Sequence, residues 1–341
     1  MGDTSKHLTY FKVENFKRFE SFEMNDLGQF NLILGDNNVG KTSVLEALLI
    51  DQSGFKFINN LLTVLGYRNL KPKYNYDDLK FFTNQKLSLN QGKNFTRFEL
   101  ITSDGASQQL VLEFDFENQF LKFLGGLPTD VAGYRLFQSA DANYNYSVPF
   151  LPFYKGHDND LAVFYAKLQP DRELRRSFIK SLQVLVPTLE NVELSISSQR
   201  DTYLIMYQDN VNHSLPLAFF GDGTLKLFRF LAEIIINTNK RLMIDEVDAG
   251  IHYSRFKDFW KIILKTARDN NVQLFMTTHN EECIKYFKEV LENDLPELKD
   301  KSRSITLIEN PKSREVKAFT YTFDQLEANI DVGNEIRGGA R

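Results

Sequence analysis

The pattern of apolar and polar positions divides the chain into two regular ends and a less regular middle. At the amino end, two β-prone runs precede a helical pattern whose apolar residues share one face, at 8–13, 30–34 and 41–50. Toward the carboxyl end, helical patterns alternate with apolar runs, at 224–236, 241–244, 256–263, 273–276 and from about 281. Two further strands, 304–308 and 315–321, precede a terminal helix. The alternation predicts a parallel sheet covered by helices.

The middle of the chain mixes β-prone and helical segments. Its segments are a helix at 57–65, strands at 96–102, 109–114 and 120–123, a helix at 171–186 that Pro187 ends, and strands at 192–196 and 202–207. Polar and glycine-containing turns between the first three strands predict an antiparallel meander. We expect an α/β fold with a mixed β-sheet core, an antiparallel β subdomain and a helical insertion. The predicted division is an amino-terminal lobe at 1–50, an insertion at 51–215 and a carboxyl-terminal lobe at 216–341.

Composition narrows the class of protein. The chain has 341 residues, of which 42% are apolar, so it can bury a substantial core and is not mainly disordered. Residues 1–10 are polar and no apolar run is long enough for a membrane span, which predicts a cytoplasmic protein without a membrane partner. Cys283 is the single cysteine, which excludes disulfides within the chain. The net charge of −4 excludes a strongly basic nucleic-acid coat.

A phosphate-binding motif follows the second β-prone run. Residues 35–42, Gly-Asp-Asn-Asn-Val-Gly-Lys-Thr, match G-x-x-x-x-G-K-[ST] in full, between an apolar strand and an amphipathic helix. Backbone N–H groups of such a loop bind phosphate oxygens, the lysine reaches the β- and γ-phosphates, and the threonine hydroxyl binds Mg²⁺. The alternative is a glycine-rich turn that matches by chance. The motif predicts ATP and Mg²⁺ as cofactors, held by Gly35, Asn37, Asn38, Val39, Gly40, Lys41, Thr42 and Ser43.

Two acidic residues end the apolar strand at 241–244. Asp245 is predicted to hold Mg²⁺ together with Thr42, and Glu246 to orient or deprotonate the attacking water. The alternative is an ordinary strand end with two solvated carboxylates. The phosphate-binding motif earlier in the chain favours the catalytic interpretation.

Four further segments carry a family resemblance. Residues 220–224, Phe-Gly-Asp-Gly-Thr, resemble the signature motif of ABC-type ATPases, and 245–252 resemble their Walker B motif and D-loop. Residues 274–279 resemble their switch-histidine strand, and 11–19 resemble the first strands of the SMC and RecF branch. Together these are similar to stand-alone ATPases of the overcoming-lysogenization-defect (OLD) type, which include subunits of the Gabija, Septu and PARIS antiphage systems. The resemblance implies a P-loop NTPase with an ABC-type ATPase head.

The resemblance also implies an arrangement of the active site. ATP would lie between the P-loop of one subunit and Gly221, Asp222, Gly223 and Thr224 of another, so the chain would act as a homodimer or higher oligomer. His279 would contact the γ-phosphate and act with Lys41 and Glu246 in catalysis. The chain departs from the family pattern at Gly221, where a serine is usual, and at the acidic Asp222. No Q-loop glutamine can be assigned.

Other polar features have competing interpretations. Residues 158–160, Asp-Asn-Asp, resemble the paired acids of a Toprim nuclease but also fit a loop in which Asp160 caps a helix. His252 can cap the helix that begins near Ser254. Lys17 and Arg18 could approach phosphate or DNA, or simply edge a strand. One predicted helix has a basic face, which comprises Arg172, Arg175, Arg176 and Lys180. A solvated surface is favoured for this face over a contact with nucleic acid or protein.

The resemblance therefore implies a Mg-dependent ATPase that controls a separately encoded nuclease or toxin in bacterial antiphage defence. A RecF-like repair ATPase that binds DNA directly, or a nucleotide-gated scaffold with negligible hydrolysis, are the alternatives. A transporter subunit fits the signature and D-loop poorly. The stretch after His279 is short for a fused OLD-type nuclease, so we expect an ATPase head whose output comes from a partner.

Overall fold

The computed structural model describes residues 6–51, 53–68, 80–84, 95–115, 120–125, 148–153, 160–198, 201–209, 211 and 213–331. The described helices are α1 (Lys41–Ala47), α2 (Gly54–Tyr67), α3 (Asp160–Leu168), α4 (Arg172–Leu182), α5 (Asp222–Ile236), α6 (Phe256–Asp269), α7 (Glu281–Asn293) and α8 (Phe323–Asp331). None of these helices is long and apolar enough to cross a membrane.

The described strands form three sheets. They are β1 (Leu8–Phe16), β2 (Phe19–Met24), β3 (Phe30–Gly35), β4 (Phe95–Thr102), β5 (Ser107–Asp115), β6 (Phe120–Leu124), β7 (Phe150–Leu151), β8 (Leu189–Ile196), β9 (Thr202–Gln208), β10 (Leu215–Pro216), β11 (Arg241–Ile244), β12 (Gln273–Thr277), β13 (Ser302–Glu309) and β14 (Val316–Tyr321).

The central sheet has the strand order β14-β13-β3-β12-β11-β7. Neighbouring strands are parallel except for the antiparallel pair β13–β14, so the sheet is mixed as predicted. Every residue of β3 and β12 is buried, which is typical of parallel strands covered on both faces. The predicted α/β core is therefore confirmed.

Successive residues of the central strands point into two different cores. Ile33, Met243 and Phe275 pack with the amino-terminal strands and α2. Their neighbours Leu32 and Leu274 pack with the carboxyl-terminal helices on the other face. Because side chains alternate along a strand, each central strand joins both layers. The P-loop and the acidic strand end are thus held between two hydrophobic cores.

The amino-terminal sheet is antiparallel, with the order β2-β1-β4-β5-β6. The predicted meander is confirmed as β4, β5 and β6. β2 was not among the strands predicted from the hydrophobic pattern, and the β1–β2 turn contains neither glycine nor proline to mark it. Lys17 makes the turn with a positive φ of 48°, an uncommon conformation for this residue type.

The third sheet, β10-β9-β8, confirms the predicted pair of strands before the signature segment. The helix predicted at 171–186 is shorter, because α4 ends at Leu182 and the next residues form a turn. Val186 directly precedes Pro187, and the residue before a proline disfavours helical geometry, so the helix cannot continue into Pro187. Asp171 is the N-cap of α4, and its carboxylate accepts from the backbone N–H groups of Glu173 and Leu174.

Candidate active site

The P-loop is a tight turn between β3 and α1 that requires its glycines. Gly35 and Gly40 have φ of 148° and 111°, in the region that favours glycine. A Cβ at Gly40 would lie 2.8 Å from Arg18 Cδ. Asn37 and Asn38 are exposed, Val39 is buried beneath the loop, and Ser43 is partly buried in α1. The local sequence therefore folds into the narrow backbone cradle that phosphate binding needs.

Lys41 folds back into this cradle. Its Nζ donates to the carbonyl oxygens of Gly35, at 2.6 Å, and Asp36, at 3.0 Å. Burial lowers the pKa of Lys41, and the nearby carboxylates of Asp245 and Glu246 partly oppose that shift. The ammonium group thus lies inside the loop, between the phosphate cradle and the acidic strand end.

The two predicted metal ligands meet. Thr42 Oγ1 donates to Asp245 Oδ2 at 2.9 Å, although the residues lie far apart in sequence. A hydroxyl and a carboxylate are hard oxygen donors that suit Mg²⁺, which commonly takes few protein ligands beside phosphates and water. No cluster of three or more histidine, cysteine or acidic ligands occurs in the described ranges. The residues present therefore fit a magnesium nucleotide.

Thr277, which the sequence analysis did not single out, organises the acidic strand end. Its Oγ1 donates to Asp245 Oδ1 at 2.7 Å and accepts from the backbone N–H of Glu246 at 2.8 Å. Thr277 is fully buried at the end of β12. The sequence marked Thr277 only by its position two residues before His279, because a hydroxyl at a strand end has no motif of its own.

Glu246 and His279 face each other next to the predicted metal ligands Thr42 and Asp245. His279 Nδ1 lies 3.8 Å from Glu246 Oε1, and both side chains are partly open to solvent. Glu246 has a φ of 47°, which is uncommon outside glycine and turns its side chain out of the strand direction. The structure therefore brings five predicted site residues together at the carboxyl ends of β3, β11 and β12. They are Lys41, Thr42, Asp245, Glu246 and His279.

The signature segment begins α5. Gly221 is the N-cap and is exposed, as is Asp222, whereas Gly223 and Thr224 are partly buried. The segment lies against the D-loop, because a Cβ at Gly223 would be 3.5 Å from the carbonyl oxygen of Gly250.

Lys226, which no sequence motif singled out, is on α5, and its side chain lies beside Gly250 of the D-loop. Its Nζ donates to the carbonyl oxygen of Phe153 at 2.6 Å. Burial lowers its pKa, with opposing contributions from Asp248, Glu246 and Asp222. No sequence signal marked these contacts, because a single lysine on a largely apolar helix matches no motif.

The D-loop is anchored to the switch strand. Thr278 Oγ1 donates to Asp248 Oδ1 at 2.7 Å, and both side chains are buried. His252 accepts from the backbone N–H of Ser254, so its predicted capping role is confirmed. Helix capping accounts for this histidine without a catalytic role.

The β1–β2 turn contacts the P-loop region directly. Arg18 donates to the carbonyl oxygen of Asn38 and pairs with Glu309, while Lys17 pairs with the fully buried Glu46 of α1. Burial lowers the pKa of Lys17, and Glu46 opposes that shift. Both residues have partners within the chain that brace the nucleotide loop.

The remaining candidates lie elsewhere. Asp160 begins α3, whereas Asp158 and Asn159 lie outside the described residues, so the nuclease interpretation stays untested. The basic face of α4 lies at the surface, with Arg175 partly buried. Its predicted solvated character is consistent with this exposure.

Comparisons with known proteins agree with the geometry. Residues 7–124 match the family described as "AAA ATPase domain", and residues 136–284 match "AAA domain, putative AbiEii toxin, Type IV TA system". An ATP/GTP phosphatase of Helicobacter pylori is 23% identical over 336 residues, covering 82% of this chain and 87% of its own. An uncharacterised protein of Methanocaldococcus jannaschii is 37% identical over 78 residues, covering 22% and 35%.

Solved structures share the fold. The SMC head bound to the C-winged helix domain of ScpA has a TM-score of 0.57 at 10% identity, covering 94% of this chain and 99% of that one. The SMC head with an extended coiled coil, bound to the C-terminal domain of ScpA from Pyrococcus furiosus, has a TM-score of 0.56 at 9% identity, covering 96% and 99%. The chain has the SMC-head-like α/β P-loop NTPase fold. The two ATPase-domain matches and the ATP/GTP phosphatase relative support ATPase activity.

Proposed function

We propose that the chain hydrolyses ATP with Mg²⁺ at the site formed by the P-loop and the end of β11. The hydrogen bonds from Thr42 and Thr277 to the two oxygens of Asp245 carry this proposal. These bonds fix the Asp245 carboxylate beside the Thr42 hydroxyl, as the binding of a magnesium nucleotide requires. When bound, Mg²⁺ would supply charge neutralisation on the β- and γ-phosphates.

The residues divide the reaction between them. P-loop N–H groups and the Lys41 ammonium bind the phosphates and stabilise charge that develops on transfer. Glu246 accepts the proton of the attacking water, whose oxygen bonds to the γ-phosphorus while the bond to the β–γ bridging oxygen breaks. The products are ADP and inorganic phosphate. His279, 3.8 Å from Glu246, orients that carboxylate and contacts the γ-phosphate.

We further infer that two subunits share each site through the signature segment. Gly221 has an ordinary extended conformation (φ −62°, ψ 158°), and a Cβ there would meet no atom within 4 Å. No contact within the subunit therefore requires a glycine at position 221. The open space around it supports close approach by a second molecule. The neighbouring Phe219 is 78% exposed, an apolar surface that dimerisation would cover.

Turnover assays test the catalytic assignment. Lys41→Ala should abolish ATP hydrolysis, and Glu246→Gln should bind ATP but hydrolyse it at least about 100-fold more slowly. Lys265→Ala, on an exposed position of α6, is the matched control and should retain wild-type turnover. Equal turnover by wild type and Glu246→Gln would refute the assignment and support the scaffold alternative. GTP should be assayed in parallel because of the curated ATP/GTP phosphatase relative.

Mixing inactive variants tests the shared site. Gly221→Asp should fold normally, because the position is open, yet should lose ATPase activity because its carboxylate repels the γ-phosphate that the partner holds. An equal mixture with Lys41→Ala would contain heterodimers with one intact site, which should restore about a quarter of wild-type activity. An active Gly221→Asp protein, or no recovery in mixtures that exchange subunits, would contradict a composite site.

We propose that the ATPase controls a separately encoded effector in bacterial antiphage defence. One matching family is described with a toxin of a toxin–antitoxin system, and the SMC heads of the same fold are bound to domains of another protein. Affinity capture of the Glu246→Gln protein with ATP should retain a nuclease or toxin that Lys41→Ala does not. Host cells should lose phage resistance with Lys41→Ala. ATP-dependent capture of DNA without such a protein would instead support the repair alternative.

A further inference from the structure

Lys226 joins the signature helix α5 to the D-loop and to the segment that follows β7. It lies one helical turn after Asp222 and is 9% exposed. A Cβ on Gly250 would lie 3.5 Å from Lys226 Cδ and Cε, and 3.7 Å from Asp222 Cβ. The stem of the lysine and the first turn of α5 therefore lie directly against the D-loop.

The ammonium group of Lys226 connects α5 to the catalytic strand through β7. Its Nζ donates to the carbonyl oxygen of Phe153, just beyond the end of β7, at 2.6 Å. β7 pairs in parallel with β11, and the carbonyl oxygen of Leu151 accepts from the backbone N–H of Asp245 at 2.8 Å. Lys226 thus fixes where the signature helix begins relative to the end of β11.

Packing alone gives no reason for a lysine at this position. The neighbouring side chains Leu225, Leu227 and Phe228 are buried and hold α5 against the carboxyl-terminal core. Burying an ammonium group carries a desolvation cost that an apolar side chain of similar length avoids. The lysine therefore supplies a fixed position for the start of α5, and not the stability of that helix.

Glu246, the proposed catalytic base of the same subunit, is positioned by other groups. Its backbone N–H donates to Thr277 Oγ1 at 2.8 Å, and its carboxylate faces His279 at 3.8 Å. Removing the Lys226 ammonium leaves both of these contacts in place and breaks the connection between α5 and the segment after β7. The loss therefore falls first on the signature segment.

We propose that Lys226 is a positioning residue that holds the signature segment in place for the nucleotide of the partner subunit. The inference rests on the shared site proposed above. Gly221 and Asp222 begin the helix that Lys226 anchors, so a shift of the anchor moves the backbone N–H groups at the start of α5. Those groups are the ones that a γ-phosphate held by the partner would meet. Lys226 therefore acts on the site to which its own subunit contributes no P-loop.

Two variant mixtures test in which subunit Lys226 acts. When Lys41→Ala is mixed with Gly221→Asp, the intact site combines the P-loop of the Gly221→Asp chain with the signature segment of the Lys41→Ala chain. Adding Lys226→Met to the Lys41→Ala chain should lower ATP turnover at least about tenfold. Adding it to the Gly221→Asp chain should lower turnover less than about threefold. Lys265→Met, the matched control on an exposed position of α6, should change neither mixture.

The Lys226→Met homodimer separates positioning from stability. Its kcat should fall at least about tenfold with KM for ATP changed less than about threefold, and its Tm should stay within about 4 °C of wild type. An unfolded variant, or a Tm lowered by more than about 10 °C, would show a stabilising role and overturn the proposal.

The mixtures also separate this proposal from the shared site on which it rests. The proposal is overturned if the loss of turnover follows Lys226→Met in the Gly221→Asp chain, if both mixtures lose turnover equally, or if neither does. An inactive parent mixture that exchanges subunits would refute the shared site itself, and the role of Lys226 in the partner's site with it.

Discussion

Thr277→Val removes one hydroxyl while preserving the shape of a fully buried side chain. Two hydrogen bonds disappear: the donation to Asp245 Oδ1 at 2.7 Å and the acceptance from the N–H of Glu246 at 2.8 Å. A hydrogen bond to a charged group contributes about 1.5–3 kcal/mol, and an orphaned buried donor costs about 1–3 kcal/mol. Because neighbouring effects do not add, we expect a loss of about 3 kcal/mol in the free energy of unfolding.

The same substitution should impair catalysis more than nucleotide binding. Glu246 has a φ of 47°, and its backbone N–H donates to the Thr277 hydroxyl that Thr277→Val removes. Positive φ at a non-glycine residue costs about 1–3 kcal/mol, so the released segment should relax and displace the carboxylate. Misplacing a catalytic group by about 1 Å reduces rate roughly 100-fold. We expect kcat to fall about 30- to 100-fold, with KM for ATP changed less than about threefold.

Steady-state ATPase assays over a Mg²⁺ titration, with thermal unfolding in parallel, measure both effects. Thr277→Ser retains the hydroxyl and should recover most of kcat while losing only methyl packing. Thr96→Val removes a buried hydroxyl that donates to Asn15, outside the active-site contacts, and should leave kcat unchanged. The proposed role of the Thr277 hydroxyl is refuted if folded Thr277→Val hydrolyses ATP within threefold of the wild-type rate, or if the serine variant is equally slow.

Three further perturbations probe the same region. Gly40→Ala should prevent ATP binding and destabilise the fold, since φ is 111° and the added Cβ meets Arg18 at 2.8 Å; Gly66→Ala, in open space on α2, should be neutral or stabilising by equilibrium unfolding. Glu46→Ala should cost about 3–5 kcal/mol in denaturant unfolding, because it leaves the partly buried Lys17 ammonium and the Arg68 guanidinium without the buried carboxylate they share; unchanged stability would contradict that pairing. Burial raises the pKa of the Cys283 thiol, so the folded protein holds less of the reactive thiolate than an exposed cysteine would; iodoacetamide should label it slowly at pH 8 and rapidly in denaturant, whereas equal rates would show that α7 opens readily.

The motifs predicted the local folding of the P-loop and of the acidic strand end, because their signals are short-range. The apolar run of β3, the glycine loop and the face of α1 lie within one continuous stretch, and their geometry follows from that stretch. The meander and the acidic strand end were predicted for the same reason. Sheet order was not predicted beyond the parallel core.

Elements that depend on distant partners could not be predicted. β7 has only Phe150 and Leu151, and it becomes a strand by pairing with Met243 and Ile244. Thr277 and Lys226 gain their roles from acids that only the folded chain brings near them. A hydroxyl or an ammonium has no periodicity, so neither residue could be distinguished from an ordinary strand or helix residue.

The position of β3 between β12 and β13 has a consequence for biosynthesis. β3 carries the P-loop near the amino end, yet both neighbouring strands come from the last quarter of the chain. At about 5–20 residues per second, translation would leave β3 without either neighbour for roughly ten seconds to a minute. The amino-terminal antiparallel sheet can pair during that interval, but the nucleotide site cannot close. A nascent chain released before Ser302–Glu309 would therefore lack one of the two strands that flank β3, and newly made subunits would gain ATP binding only after that strand has been made.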